Sequence, residues 1–395
     1  DGGNANNNGG DNNNNAAGLK ESTVTFLLRS SMPDASRRID EFVNRAFKSY
    51  QDAVIAKHKK DKSRYMYMSA PTPPSTEDGS ATSGVQKYKR YGLSEDKTFE
   101  SLFFDEKKAL MDLLDNFVNK SGKFGIKGFP YKMGLLLHGP PGTGKTSLIK
   151  AVAQYTRRHI VNISLAKIKT NQELMNLMFD LKFGLDGEDM PVTLGFDKIV
   201  FVMEDIDCAS NVVMARDDMI ANSSKKSTKS GQTDDDDDDA DLVTLSKLAG
   251  ISSGDVLDLH KLIGPSNNKM GGRSFGPNDK LNLSGLLNVL DGVVDSPGRI
   301  LIMTTNHPEK LDPALIRPGR VNKKLMMGHI NAKQTQLMMQ HYFQCELTDA
   351  QKTAVIDVFA NTAKDFSPAQ IEQLCAEYDD VVQMLDELAK LCQIV

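Results

Sequence analysis

The sequence predicts an α/β protein in which a parallel sheet carries helices on both faces. A helical C-terminal region follows it and a small α+β module precedes it. Three observations predict this. GLLLHG (134–139), HIVNISL (159–165), KIVFVMED (198–205) and RILIMTTN (299–306) are short apolar runs separated by helical segments, the pattern of strands buried on both faces and linked by crossover helices. After about Met327 strand-like residues give way to helical ones. Before about Thr98, strand-like runs flank a single amphipathic helix.

In chain order, residues 1–18 (DGGNANNNGGDNNNNAAG) are nearly all Asn, Gly, Asp and Ala. They hold too little apolar surface to offset the entropy of ordering, so disorder is expected there. Residues 19–97 form the N-terminal module. In it Thr23–Arg29 (TVTFLLR) and Arg64–Ala70 (RYMYMSA) read as strands, with a helix over about Ala35–Ala56 between them. A third strand, VQKYKRYGL, follows the Pro-rich loop at 70–74 and the stretch TEDGSATSG. Residues 98–328 hold the alternating strands and helices, and 329–395 the helical region. Between 208 and 283 lie SSKKSTKSGQ, six consecutive aspartates (Asp234–Asp239) and a Gly/Ser/Asn-rich tract ending in GGRSFGPNDK. A stretch of this length and composition is expected to be a low-complexity insertion, within which Asp241–Ile263 has enough Leu and Val for a short helix. Consecutive acids repel and stay hydrated, so the aspartate run reads as a solvated tract and not as a metal site.

Composition narrows the function classes. Of 395 residues, 48 are Lys or Arg and 52 are Asp or Glu, a formal net charge of −4, which implies no broadly basic surface for nucleic acid. The acidity resides in the two unusual segments: residues 1–18 hold two acids and no bases, and 208–283 hold 12 acids against 9 bases, leaving +1 for the other 301. The same dilution accounts for a hydrophobic fraction of 39%, lean for a packed chain. No apolar run approaches the roughly 18 residues of a membrane span. Cys208, Cys345, Cys375 and Cys392 are widely spaced, without a CxxC pair, the pattern of reduced thiols and not of a disulfide framework or a structural metal.

The chemistry concentrates at three strand ends. Gly139-Pro140-Pro141-Gly142-Thr143-Gly144-Lys145-Thr146 fits G-x-x-x-x-G-K-[ST] and lies between a strand and a helix, with Ser147 next in line. Its glycines let backbone N–H groups point at phosphate oxygens, and the helix N-terminus adds partial positive charge, worth about 1 kcal/mol per anion contact. Lys145 is placed to reach the β- and γ-phosphates, and Thr146 to ligate Mg²⁺, so ATP and Mg²⁺ are the expected ligands. Glu204 and Asp205 end the strand IVFVM. Successive side chains alternate faces, so the two carboxylates divide the work: Glu204 is assigned to the metal and Asp205 to the attacking water. Asn306 ends RILIMTTN and can hydrogen-bond that water or the γ-phosphate. Arg317 and Arg320 follow 11 and 14 residues later. Guanidinium groups supplied to a neighbouring subunit's phosphate would stabilise the transition state about 10³-fold or more.

GPPGTGKT, EDID and TTNHPEKLDPALIRPGR together resemble the AAA-type ATPases, and within them GFPYKMGLLLHGPPGTGKTSLI, TTNH and LDPALIRPGRV are similar to the BCS1, mitochondrial-chaperone-like branch. The lead-in KYKRYGLSEDKTFESLFFDEKK resembles the boundary between the BCS1-specific N-terminal module and the ATPase domain. The similarity covers about residues 19–207 and 281–376. It implies that Lys145 and Thr146 are the phosphate lysine and metal hydroxyl, Asn306 the first sensor, and Arg317 and Arg320 the arginine-finger pair. Glu204-Asp205 aligns with the family's Asp-Glu pair in swapped order, as in the BCS1 branch, which puts a shorter carboxylate at the water-polarising position. Ser367-Pro-Ala-Gln370 resembles the start of the second-sensor helix and is also a capping box with Pro at the first helical position. Threading unfoldases carry an aromatic–hydrophobic–Gly pore loop where this chain reads SLAKIKTNQEL, which disfavours single-file peptide pulling.

The resemblance implies a homo-oligomeric ring that couples ATP hydrolysis to protein translocation or complex-assembly chaperoning, acting on a protein substrate the sequence does not name. It also implies an anchoring segment upstream of Asp1, at the mitochondrial inner membrane or another intracellular membrane. The alternative is a nucleotide-gated scaffold in which the swapped carboxylates leave little hydrolysis. A clamp-loader-like nucleic-acid ATPase lacks its basic tracts here.

Overall fold

The computed structural model describes residues 26–70, 86–185, 188, 190–213, 279–362 and 364–393. The expectations for residues 1–18, the loop beyond Ala70, Asp234–Asp239 and the helix at 241–263 lie outside those residues. The chain divides between Lys62 and Ser63 into two compact units.

The first unit is built on one helix, α1 (Ala35–Lys60). It runs four residues past the expected end, through Lys57-His-Lys-Lys60, basic residues that the negative end of the helix dipole favours. The strand expected over Thr23–Arg29 is not formed at residues 26–29, and residues 23–25 lie outside the described ones. A strand exists only where a neighbour takes its backbone hydrogen bonds. Phe26 and Leu27 instead stand 84% and 73% exposed.

The second unit is organised by a nine-stranded, mostly parallel sheet. Its strands are β1 (Tyr65–Ser69), β2 (Lys87–Gly92), β3 (Lys132–His138), β4 (His159–Asn162), β5 (Lys182–Leu185), β6 (Val192–Thr193), β7 (Ile199–Met203), β8 (Arg299–Thr305) and β9 (Lys323–Met326). They are ordered β6-β5-β2-β1-β4-β7-β8-β3-β9. The four apolar runs of the sequence become β4, β7, β8 and β3, adjacent and parallel at the centre. Only the β1–β2 and β5–β6 pairs are antiparallel. The strands at 65–69 and 87–92 pair into this same sheet, β1 running parallel to β4, so hydrogen bonding is continuous across residue 98. Sequence patterning does not single out β5, β6 or β9. They are short strands toward the margins of the sheet, and KKLM at β9 lacks the apolar run that marks a buried strand.

Successive residues of each strand face opposite sides, and the core divides accordingly. Leu136, Val161, Phe201, Leu301 and Met303 pack with α4 (Asn171–Phe179) and α6 (Leu283–Asp291). Leu135, Leu137, Ile160, Val200, Val202, Ile300 and Ile302 pack with α2 (Lys107–Val118) and α3 (Lys145–Tyr155). A one-turn α5 (Ser210–Val213) follows β7. The C-terminal region is helical, as expected: α7 (Ala332–Phe343), α8 (Asp349–Asn361), α9 (Pro368–Glu377) and α10 (Val381–Gln393). These helices share their own core around Met339, Val355, Phe366, Ile371 and Leu388. Full capping boxes start α7, α8 and α9, from Asn331, Thr348 and Ser367. Each satisfies two orphan backbone donors and fixes where the helix begins.

Candidate active site

Strand β3 delivers the chain into the loop Gly139–Gly144, and α3 starts at Lys145. Two glycines make this geometry possible. Gly139 (φ 140) passes so close to Met327 that a Cβ there would collide with its carbonyl oxygen, and Gly144 (φ 89) is the left-handed residue that opens α3. Lys145 is nearly buried, and its Nζ donates to the carbonyl oxygens of Gly139 and Pro140 at 2.7 and 2.8 Å. Burial lowers its pKa, an effect that the charges of Asp205 and Asp207 oppose. Thr143 Oγ1 donates to Pro140 O at 2.9 Å and closes the loop.

The second strand end meets the loop directly. Thr146 Oγ1 donates to Glu204 Oε1 at 2.8 Å, while Asn162 Nδ2 at the end of β4 lies 3.5 Å from Glu204 Oε2. Asp205 points differently. Its φ is 47°, its backbone N–H donates to Thr304 Oγ1 at 2.8 Å, and its exposed side chain faces the cleft. That left-handed turn aims two consecutive carboxylates in different directions. Thr305 Oγ1 donates to Asp207 Oδ1 at 2.8 Å and ties the end of β8 to the same turn. Asn306 follows, lining the cleft, with its Oδ1 buried and without a hydrogen-bond partner among the described residues. Such an orphaned acceptor is costly unless a ligand or water uses it.

Around these ends lies a cleft of about 380 Å³, within the size range of ligand pockets. The loop and Thr146, Ser147, Asp205 and Asn306 form one wall. Phe103, Phe104, Met327 and Met338 give it an apolar side, and Pro368, Ala369 and Glu372 of α9 overhang it. Ala369 N–H donates to Gly142 O at 3.2 Å, so Ser367–Gln370 opens α9 directly on the phosphate loop. The residues suit Mg²⁺: a hydroxyl and a carboxylate, both oxygen donors, stand together beside the loop, and hard cations prefer oxygen.

Arg317 and Arg320 do not line this cleft. They occupy the segment between β8 and β9, where Arg320 Nη1 donates to Ala314 O at 2.6 Å and Arg317 Nη2 lies 3.9 Å from Asp291 Oδ2. Asp291, at the end of α6, also accepts from Lys132 Nζ at 2.6 Å. The Lys132 hydrogen bond, helped by the charges of Lys132, Arg320 and Arg317, holds its carboxyl below the usual range. The arginine segment is pressed onto β3, where Asn322 exchanges hydrogen bonds with the Gly134 backbone.

Residues 135–231 and 258–329 match the family described as ATPase family associated with various cellular activities (AAA). An AAA-ATPase of Arabidopsis thaliana is 30% identical over 70% of this chain and 46% of its own length. The probable mitochondrial chaperone BCS1-B of Dictyostelium discoideum is 30% identical over 78% of this chain and 59% of its own. The chain belongs to the AAA ATPase family. A second Arabidopsis thaliana AAA-ATPase is 28% identical over 75% of this chain, and the chain spans about half the length of these curated relatives.

Sequence reasoning passed over several residues that the structure brings close to the strand ends or to the arginine segment. Asn162 and Thr304 are ordinary polar residues at strand ends, and only the adjacency of β4, β7 and β8 brings them to the carboxylates. Asp291 and Lys132 are 159 residues apart in the chain. Glu372 of α9 lines the cleft, accepts from Tyr342 Oη at 2.7 Å and pairs with Lys97 at 3.5 Å.

Proposed function

We propose that this AAA protein hydrolyses ATP at the cleft and converts the cycle into movement or assembly of protein at a membrane. One observation carries the hydrolytic part: Thr146 and Glu204 are already joined, while Asp205 and Asn306 face the same cleft from neighbouring strand ends. In this reading the loop's backbone N–H groups and Lys145 hold the β- and γ-phosphates. Thr146 and Glu204 hold Mg²⁺, which when bound supplies charge neutralisation at the phosphates. Asp205 takes the proton of the attacking water, and Asn306 orients that water or the γ-phosphate through its side-chain amide. Removal of Lys145 tests the assignment: Lys145→Ala loses ATP binding and phosphate release, and hydrolysis at the wild-type rate by this variant would refute it.

Arg317 and Arg320 act on the cleft of a neighbouring copy, a role supported by their position away from their own chain's cleft and by the exposure of Arg317. The working unit is therefore a homo-oligomeric ring. The segment 164–174 contains no aromatic residue and no Gly, which favours handling of a protein substrate as a body over threading it as a strand. Similarity to a probable mitochondrial chaperone supports a chaperone or translocase role. By the BCS1 resemblance the setting is the mitochondrial inner membrane, with another intracellular membrane as the alternative. A second reading, a nucleotide-gated scaffold, draws on the short carboxylate of Asp205 at the water position. Steady-state phosphate release from the purified protein separates the two.

A further inference from the structure

Asp205 holds a backbone conformation that is uncommon outside glycine. Its φ is 47°, in the left-handed region where Cβ crowds the following carbonyl oxygen. A residue stays there when its surroundings over-determine it, and the hydrogen bonds around Asp205 show how. The ladder between β7 and β8 ends at Met203 and Met303, two residues short of Asp205. β8 itself runs on, paired with β3 at Leu137–Thr304 and His138–Thr305. Past the end of the ladder, the Asp205 N–H donates to the side-chain Oγ1 of Thr304 at 2.8 Å. The Asp205 carbonyl accepts from Cys208 N–H at 2.9 Å and closes the turn on its other side.

The two threonines that end β8 are 2% and 0% exposed, and they divide this turn between them. Thr305 Oγ1 accepts from His307 N–H at 3.0 Å and donates to Asp207 Oδ1 at 2.8 Å, so it brackets Asn306. Thr304 takes the amide of Asp205. An apolar side chain of the same shape at 304 would leave that amide without its acceptor, which is unfavourable for a donor shielded from water. We infer that Thr304 is a positioning residue for hydrolysis: its hydroxyl holds Asp205 in the left-handed conformation that turns the carboxylate to the cleft. Thr304 does not line the cleft, so it acts through Asp205 and not on the nucleotide. This role rests on the one proposed above for Asp205 as the base.

The test uses the full chain. Thr304→Val keeps the side chain's shape and removes the acceptor, whereas Thr304→Ser keeps the acceptor. In single-turnover assays at saturating Mg²⁺ and ATP, Thr304→Val is expected to slow hydrolysis about 10- to 10²-fold, with the Kd for ATP within about twofold of wild type. Thr304→Ser is expected to recover to within about threefold of the wild-type rate. In an Asp205→Asn background, Thr304→Val is expected to cost no more than about a further twofold, because the carboxylate it positions is already gone. Hydrogen exchange at the Asp205 amide, read by mass spectrometry, is expected to be about tenfold faster or more in Thr304→Val than in wild type or Thr304→Ser. Should the valine variant not fold, Thr304→Ala removes the same acceptor without bulk and is read in the same way. A serine variant as slow as the valine one, or a full further loss in the Asp205→Asn background, would make Thr304 merely structural and overturn the inference. So would a loss of ATP affinity that matches the loss of rate, or a valine variant with unchanged hydrolysis or unchanged exchange. Exchange needs no turnover: a wild type that releases no phosphate removes the base reading, and the exchange comparison still decides whether Thr304 holds the turn.

Discussion

At Glu204 and Asp205 one residue of backbone decides which way each carboxylate faces. Glu204 continues the line of β7 and receives the Thr146 hydroxyl, whereas the left-handed turn at Asp205 swings the next carboxylate toward Asn306 and the open cleft. The two are chemically alike, so their variants should differ in kind as well as in degree. If Glu204 holds Mg²⁺ as proposed, the Mg²⁺ concentration needed for half-maximal ATP binding should rise in Glu204→Gln. Asp205→Asn keeps the side-chain size and removes the proposed base: ATP binding at saturating Mg²⁺ should be nearly unchanged while phosphate release falls about 10²- to 10⁴-fold. Titrating Mg²⁺ against a fluorescent ATP analogue and measuring single-turnover hydrolysis on both variants checks this. An Asp205→Asn protein that loses nucleotide affinity and retains turnover would reverse the assignment. Both residues were legible in the sequence because a strand-ending EDID can be read in one line. The turn that separates their roles was not, since a positive φ at an aspartate leaves no mark in composition or period.

Among the elements, the β1–β2 hairpin shows how the nucleotide sheet gains its outer strands. Tyr67 and Tyr88 are fully buried and pack against Phe183 of β5, with ring centroids 5.2 and 4.8 Å away. Burial pushes the Tyr67 hydroxyl up to about 12, partly offset by Arg90, and pushes Tyr88 up as well. A pKa raised in the folded state gives stability that is whole below the unfolded value near 10 and is lost as the pH rises through about 12. For Tyr67 this amounts to about 3 kcal/mol. Urea midpoints measured from pH 9 to 12 should therefore fall, and Tyr67→Phe should flatten part of the slope, with Tyr88 supplying the remainder. A wild-type midpoint unchanged across that range would contradict the packing. The central strands were plain from the sequence because they are apolar runs buried on both faces. The hairpin's place in the sheet was not, because KYKRYG alternates charged and aromatic residues and reads equally well as the edge of a separate module. The parallel register of Met66, Tyr67 and Met68 with Ile160, Val161 and Asn162 joins it to β4.

For the whole molecule, the question is whether one chain completes its own site. Around the cleft the chain supplies the loop, Thr146, Asp205 and Asn306, yet Arg317 and Arg320 sit on the segment beyond β8, beside Asp291 and Lys132. That segment cannot swing freely to its own phosphates. The Gly134 backbone accepts a hydrogen bond from Asn322 N–H and donates one to its side chain, and a Cβ at Gly134 would collide with the Arg320 carbonyl oxygen. Arg317 is exposed on this anchored segment, while Arg320 is half-buried and tied to Ala314 O, and action on a neighbour is the proposed role. A mixing experiment decides it. Chains carrying Arg317→Ala and Arg320→Ala keep an intact cleft but lack arginines, whereas Lys145→Ala chains keep the arginines but cannot hold ATP. Each alone should release phosphate about 10³-fold more slowly than wild type or worse. Mixed and allowed to exchange, intact clefts meet intact arginines at a fraction of the contacts, and activity should return to a corresponding fraction of the wild-type rate. The recovery should grow with protein concentration, because it depends on association. No recovery at any ratio, with exchange verified by labelled chains, would mean that the arginines serve their own subunit or none.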